Sequence, residues 1–218
     1  MTDTATLAAT IDHTILRSDA SADDVRRLCS EAERLGCAAV CISPNHVAAA
    51  RAVLNGSVLL ATVAGFPSGA HLSAVVADEA RRAADEGADE VDMVIDLSQA
   101  VAGAWGDVER SVTVVRAALP THVSLKVILE TACIGLDRIP AACAACERAG
   151  AQFVKTSTGV HAAGGATVEA VRALADAVGG RLGVKAAGGI RTRAIAEAML
   201  AAGATRLGAS ATAAILAE

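Results

Sequence analysis

One phrase recurs four times along the chain: a helical stretch, a glycine followed by Ala or Cys, then an apolar run of strand length. It reads GCAAV at 36–40, GADEV at 87–91, GAQFV at 150–154 and GATRL at 203–207. A glycine in that place stops a helix, and the apolar run after it starts a strand. Strands joined through helices run parallel, since the helix returns the chain to the end it left. Eight runs read as strands: 11–14, 38–43, 58–66, 90–96, 123–130, 152–158, 182–188 and 205–210. Amphipathic stretches at 22–35, 72–86, 108–119, 138–149, 167–178 and 192–202 separate most of them. Eight is the number that closes a parallel barrel, so the expected fold is an α/β, (β/α)8 TIM barrel, with 1–218 as a single domain. A doubly wound open sheet competes less well: no two glycines stand two positions apart, which excludes GxGxxG, and no Gly-Lys pair offers a Walker A loop.

Charge and composition narrow the partners. A net charge of -5, with aromatic residues at 1%, provides neither a basic footprint nor stacking platforms, so nucleic acid and membrane are not expected partners. The opening MTDTATLAAT carries an acid and no base, a poor secretory signal, which predicts a cytoplasmic protein. Residues 52–77 lack charge, but Asn55, Gly56, Pro67 and His71 interrupt them, so they read as a buried strand between turns rather than a membrane span. The six cysteines are expected as free thiols, with Cys143 and Cys146 as small core residues on one helix face.

Lysine usage is the feature that points to chemistry. Of 19 basic residues only Lys126, Lys155 and Lys185 are lysines, each within an apolar strand run, and spacings of 29 and 30 residues put them on three successive βα units. An ammonium inside a barrel must be paired or must lose its proton, and arginine can do only the first. Beside a second cation and away from water, an amine's pKa falls from about 10.4 toward 7–8, which leaves a nucleophile able to form a Schiff base with a carbonyl. Lys155 and Lys185 fit that pairing. Each could instead merely neutralise a buried carboxylate.

Both lysines lie near the carboxyl ends of their strands, where barrel enzymes keep their active residues. Gly188 and Gly189 after strand seven, with Gly208 and Ser210 at strand eight, offer backbone N–H groups to an anion, so the substrate expected is a small phosphorylated carbonyl compound or sugar. Asp92, mid-strand in EVDMVID, is a candidate proton relay or a fixed partner of a lysine. Asp12 is a candidate partner of Lys185 or a helix cap, and Glu130 a partner of Lys126. The five histidines show no metal-ligand spacing and are assigned to surface or loops.

In order along the chain, IDHT, AVCISP, EVDMVID, KVILET, FVKTSTG, GGATVE, GVKAAGGIR and ATRLGAS resemble the deoxyribose-phosphate aldolase family over nearly the whole length. The resemblance implies a class I aldolase without metal or other cofactor that splits 2-deoxy-D-ribose 5-phosphate into D-glyceraldehyde 3-phosphate and acetaldehyde. It implies Lys155 as the Schiff-base lysine, Lys185 as the lysine that lowers its pKa, and Asp92 as acid/base. It also implies Thr158 and Gly159 near the sugar, the glycines of KAAGGIR with Gly208 and Ser210 around the phosphate, and Cys41 near the pocket. Where some relatives carry a lysine after TSTG this chain has Val160, which shifts phosphate binding toward backbone groups and Arg191; it also lacks the tyrosine that ends some relatives' tails. The competing readings are an isomerase-like phosphosugar enzyme with lysine clamps and a non-catalytic sugar-phosphate-binding domain. Helix faces rich in alanine suggest a homo-oligomer.

Overall fold

A computed structural model describes residues 2–218. Its strands are β1 Ile11–Ile15, β2 Ala39–Ile42, β3 Leu59–Ala64, β4 Glu90–Val94, β5 Ser124–Ile128, β6 Phe153–Lys155, β7 Gly183–Ala187 and β8 Arg206–Ala209. They pair in parallel in chain order, and β8 returns to β1, so the sheet is a closed (β/α)8 barrel. Each strand falls within or overlaps one of the eight predicted runs. The helices are α1 Thr4–Ala8, α2 Ala22–Leu35, α3 Val47–Arg51, α4 Ser73–Asp85, α5 Leu97–Val101, α6 Trp105–Ala118, α7 Thr131–Ile134, α8 Ile139–Arg148, α9 Val168–Val178, α10 Arg193–Ala201 and α11 Thr212–Ala217. The predicted amphipathic stretches are α2, α4, α6, α8, α9 and α10. The short α1, α3, α5 and α7 fall outside them, because a helix of one turn shows no 3.6-residue period.

Local chemistry sets the helix ends. Ser21 and Asp24 form a reciprocal capping box at the start of α2, and Gly36, at φ 71°, closes it in the left-handed conformation. Thr167 and Thr192 cap α9 and α10 through their side chains.

Strand residues alternate between two environments. Val91, Leu125, Val127, Val154, Val184 and Leu207 face outward into the main apolar core, together with Val112 of α6, Ala142 of α8 and Val171 of α9. The inward set is unlike a hydrocarbon core. Ala39, Cys41, Ala61 and Val63 make a small apolar cluster on β2 and β3. The opposite arc, from β4 round to β1, is filled by charged side chains. Cys143 and Cys146 are buried on α8 as expected, and all six cysteines are free thiols. Among the described residues no helix is long and apolar enough to cross a membrane.

Candidate active site

Register builds the charged arc. Parallel pairing sets Asp92 beside Lys126 and Lys155 beside Lys185. Asp92 Oδ1 accepts a hydrogen bond from Lys126 Nζ at 2.9 Å, while Oδ2 accepts from Lys155 Nζ at 2.8 Å and from Lys185 Nζ at 2.7 Å. Lys185, on β7, therefore reaches across the interior to β4, and the two amines meet at one oxygen atom. Its Nζ also donates to Asp12 Oδ2. Nearer the amino-terminal end, Arg206 donates to Asp12 Oδ1 at 2.7 Å and to Glu90 at 3.1 Å, and Glu90 lies 2.6 Å from Lys126 Nζ. The Phe153 ring centroid lies 6.0 Å from Lys126 Nζ and 5.7 Å from Arg206 Cζ, with the ring edge against Gly183, where a side chain would collide with it.

These contacts decide the ionisation of each group. Burial opposes the charge on Asp92, but Lys126, Lys155 and Lys185 outweigh it and hold the carboxyl well below the usual range. Burial likewise opposes the charge on Lys185, and Asp12 and Asp92 overcome it, so this amine is held protonated above the ordinary lysine value. Lys126 is raised in the same way. Lys155 moves in the other direction: burial lowers its pKa, Asp92 only partly opposes this, and the Lys185 cation lowers it further. Burial raises the Cys41 thiol, which keeps it neutral. Lys155 is thus the one lysine of the three pushed toward the neutral amine.

An open cavity of about 400 Å³ sits above this cluster on the carboxyl-end face of the barrel. Lys155, Thr158, Gly159, Gly188, Gly189, Gly208 and Ser210 all line it, alongside Arg17 and Arg191. Asp92, Lys185 and Asp12 lie outside that lining, fully buried, and Cys41 is buried in the wall on β2. The candidate catalytic and phosphate-loop residues therefore fall in one contiguous region, with Lys155 alone among the lysines lining the cavity.

The loop after β6 is fixed from two sides. Glu130, in the left-handed region at φ 51°, accepts from Thr158 Oγ1 at 2.7 Å and Thr158 N at 3.2 Å. At Gly165 a Cβ would run into the backbone of Gly188, so this close approach of the two glycine loops requires glycine at 165. The expected Glu130–Lys126 pair is absent, because Glu130 lies beyond the end of β5 and turns to Thr158 while Lys126 points down to Glu90 and Asp92. Asp12 is no helix cap: it pairs with Lys185 and Arg206. Nor is His13 a surface residue; it is buried on the outer side of β1, with Nε2 3.2 Å from Glu31. Sequence reasoning missed Glu90, Arg206 and Arg17. The signal for the first two was parity, since Glu90 stands two residues before Asp92 and Arg206 two before Gly208, hence on the same strand faces.

Among the described residues no group of His, Cys, Asp and Glu converges as a metal-ligand set. A closed parallel barrel with an open cavity on its carboxyl-end face, and a desolvated amine at the floor of that cavity, is the layout of a barrel enzyme. Residues 6–217 match the model of the DeoC/LacD family aldolases, and the chain belongs to that family. It is similar to the deoxyribose-phosphate aldolase of Frankia alni, at 54% identity over 98% of this chain and 97% of that protein. The deoxyribose-phosphate aldolase of Mycobacterium ulcerans is 55% identical over 96% of this chain and 93% of that one. Among solved structures, the deoxyribose phosphate aldolase of Aeropyrum pernix, described as having a unique tetrameric structure, superposes with a TM-score of 0.89 at 34% identity over 97% and 89% of the two chains.

Proposed function

We propose that this chain is a lyase that reversibly cleaves 2-deoxy-D-ribose 5-phosphate through a Schiff base on Lys155, yielding D-glyceraldehyde 3-phosphate and acetaldehyde. The observation that carries this reading is that Lys155 alone of the lysines opens onto the cavity while sharing one oxygen of Asp92 with Lys185. The neutral Lys155 amine attacks C1 of the open-chain sugar, and the carbinolamine loses water to give an iminium. Loss of the C3 hydroxyl proton then breaks the C2–C3 bond, releasing glyceraldehyde 3-phosphate and leaving an enamine. Protonation at C2 and hydrolysis free acetaldehyde and restore the amine. The Asp92–Lys185 pair beneath handles the protons, with Asp12 holding Lys185 in place.

The phosphate subsite in this reading is the loop pair of Gly188 and Gly189 with Gly208 and Ser210, and Thr158 and Gly159 face the sugar. Arg191 and Arg17 supply the charge that a lysine at 160 gives some relatives. Arg17 is held by Asp19 at 2.9 Å and by Asp24. Residues 1–218 act as one domain in this reading, cytoplasmic and homo-oligomeric. Support for the last comes from the exposed apolar Leu72 and Val75 on the outer layer and from the tetrameric Aeropyrum relative.

Borohydride reduction in the presence of acetaldehyde tests the chemistry: a stable adduct of acetaldehyde mass on Lys155 is expected, and none, or one on another lysine, refutes it. Removal of the arginines tests the subsite. Arg191→Ala combined with Arg17→Ala is expected to raise KM for the phosphorylated sugar by roughly tenfold with kcat little changed, and to leave KM for unphosphorylated deoxyribose unaffected. Lys185→Met removes a cation that depresses the Lys155 pKa and leaves Asp92 freer to stabilise the ammonium. The acid limb of kcat/KM is therefore expected to move to higher pH, and a limb that stays in place contradicts the coupling.

A further inference from the structure

We propose that Glu90 and Arg206, in the amino-terminal layer of the barrel and remote from the cavity, are positioning residues that set how much of the Lys155 amine is free to react. This inference rests on the aldolase reading above and adds to it a device built from two residues that do not line the cavity. The charges linked to Lys155 through Asp92 come from all round the barrel: Asp12 on β1, Glu90 and Asp92 on β4, Lys126 on β5, Lys185 on β7 and Arg206 on β8. Cys41 of β2 is a neutral thiol, β3 contributes Ala61 and Val63, and Glu130 is turned toward Thr158. Among the described residues the interior network thus holds four cations, Lys126, Lys155, Lys185 and Arg206, against three carboxylates, Asp12, Glu90 and Asp92. With all of them ionised the desolvated network carries one positive charge too many. Neutralising one amine removes the excess, and Lys155 is the amine that can give up its proton most readily, because it has a single carboxylate partner where Lys126 and Lys185 each have two.

Glu90 and Arg206 act at opposite ends of this network. Glu90 shares Lys126 with Asp92, so removing its charge turns Lys126 more fully onto Asp92 and weakens the hold of Asp92 on the Lys155 proton. Arg206 shares Asp12 with Lys185, so removing it draws Lys185 toward Asp12 and frees Asp92 Oδ2 for a protonated Lys155. The two changes therefore act in opposite directions on the same amine, and together they leave three cations against two carboxylates, the same excess of one as in the unmodified chain. Each change also leaves every remaining group with at least one oppositely charged partner, since Lys126 keeps Asp92, Asp12 keeps Lys185, and Arg206 or Glu90 keeps Asp12 or Lys126.

The test is trace acetylation with acetic anhydride across a pH series, with the label on Lys155 quantified by mass spectrometry in the full-length chain and its variants. Glu90→Gln is expected to move the Lys155 titration midpoint down, and Arg206→Met to move it up, each by on the order of half a unit to one unit. The double variant is expected to fall between them, near the unmodified chain. The acid limb of kcat/KM should follow in the same order. Should Arg206→Met fail to fold, Lys126→Met removes a cation from the same layer and must also move the midpoint up. Midpoints that stay put, single variants that shift in the same direction, or a double variant displaced further than either single one overturn the proposal, since a purely structural role predicts additive damage and not cancellation. Failure of the aldolase reading is separately visible: the variants would then move the Lys155 midpoint as stated, yet the unmodified chain would give no borohydride adduct with acetaldehyde.

Discussion

Lys155→Arg is expected to lower turnover of 2-deoxy-D-ribose 5-phosphate by on the order of 10⁴-fold or more, while the protein stays folded. Arginine preserves the positive charge opposite Asp92, so the ion pair at 2.8 Å has a replacement and the barrel interior keeps its counter-ion. What arginine cannot do is lose its proton: a guanidinium stays charged at any pH at which the protein is folded, and so it offers no lone pair to a carbonyl carbon. Circular dichroism and the thermal midpoint should therefore change little, and borohydride with acetaldehyde should leave residue 155 unlabelled. Turnover within about tenfold of the unmodified enzyme would show that the lysine serves as a clamp, the isomerase-like arrangement, and that no covalent bond to it is required.

Asp92→Asn is expected to damage both stability and activity. Asp92 is fully buried and accepts from three amines, so its loss leaves Lys155 without a carboxylate and removes one of two from Lys126 and Lys185. Uncompensated buried charge of this kind costs about 3–5 kcal/mol, read as a lowered midpoint in denaturant at neutral pH. Activity should fall by roughly 10²–10⁴-fold, because in the proposed Schiff-base reaction Asp92 relays protons beneath the imine. The pH dependence has a definite sign. The folded-state pKa of Asp92 lies well below the ordinary 3.8, so its contribution is fully present above 3.8 and is lost as pH falls from there through the folded value. Acid unfolding of the unmodified chain should accordingly steepen below about pH 4, and in Asp92→Asn that part of the dependence should be missing.

Much of the architecture could be read from the chain because it is local. A glycine in the left-handed conformation at 36, 87, 150 or 203 ends a helix whatever surrounds it, and the apolar run that follows has few options besides a buried parallel strand. The three lysines stood out for a similar reason: an amine inside a run such as FVKTS must enter the barrel or lie against its helices, and only the first makes chemical sense of its neighbours. Asp92 was legible on the same ground.

Other features depended on which side chains meet across the interior. Glu130 could have met Lys126, four residues earlier and of the same strand parity, yet the backbone leaves the sheet at Ile128 and carries it to Thr158. Asp12 had two possible roles, and the reach of Lys185 and Arg206 from β7 and β8 selected one. Arg17 enters the cavity only because the loop after β1 folds over the same face as the glycine turns of β7 and β8.

The sequence by itself determined the eightfold alternation of helix and strand and the set of candidate residues for carbonyl chemistry, since periodicity, helix stops and the placing of a rare amine in an apolar run are properties of short stretches of chain. Only the tertiary structure decided which lysine faces the cavity and which lie beneath it, because that depends on barrel register and on which carboxylate each ammonium finds. Two lysines on neighbouring strands look alike in one dimension. In three, one meets two acids and is held charged, while the other meets one, lines the cavity and is pushed toward the neutral amine.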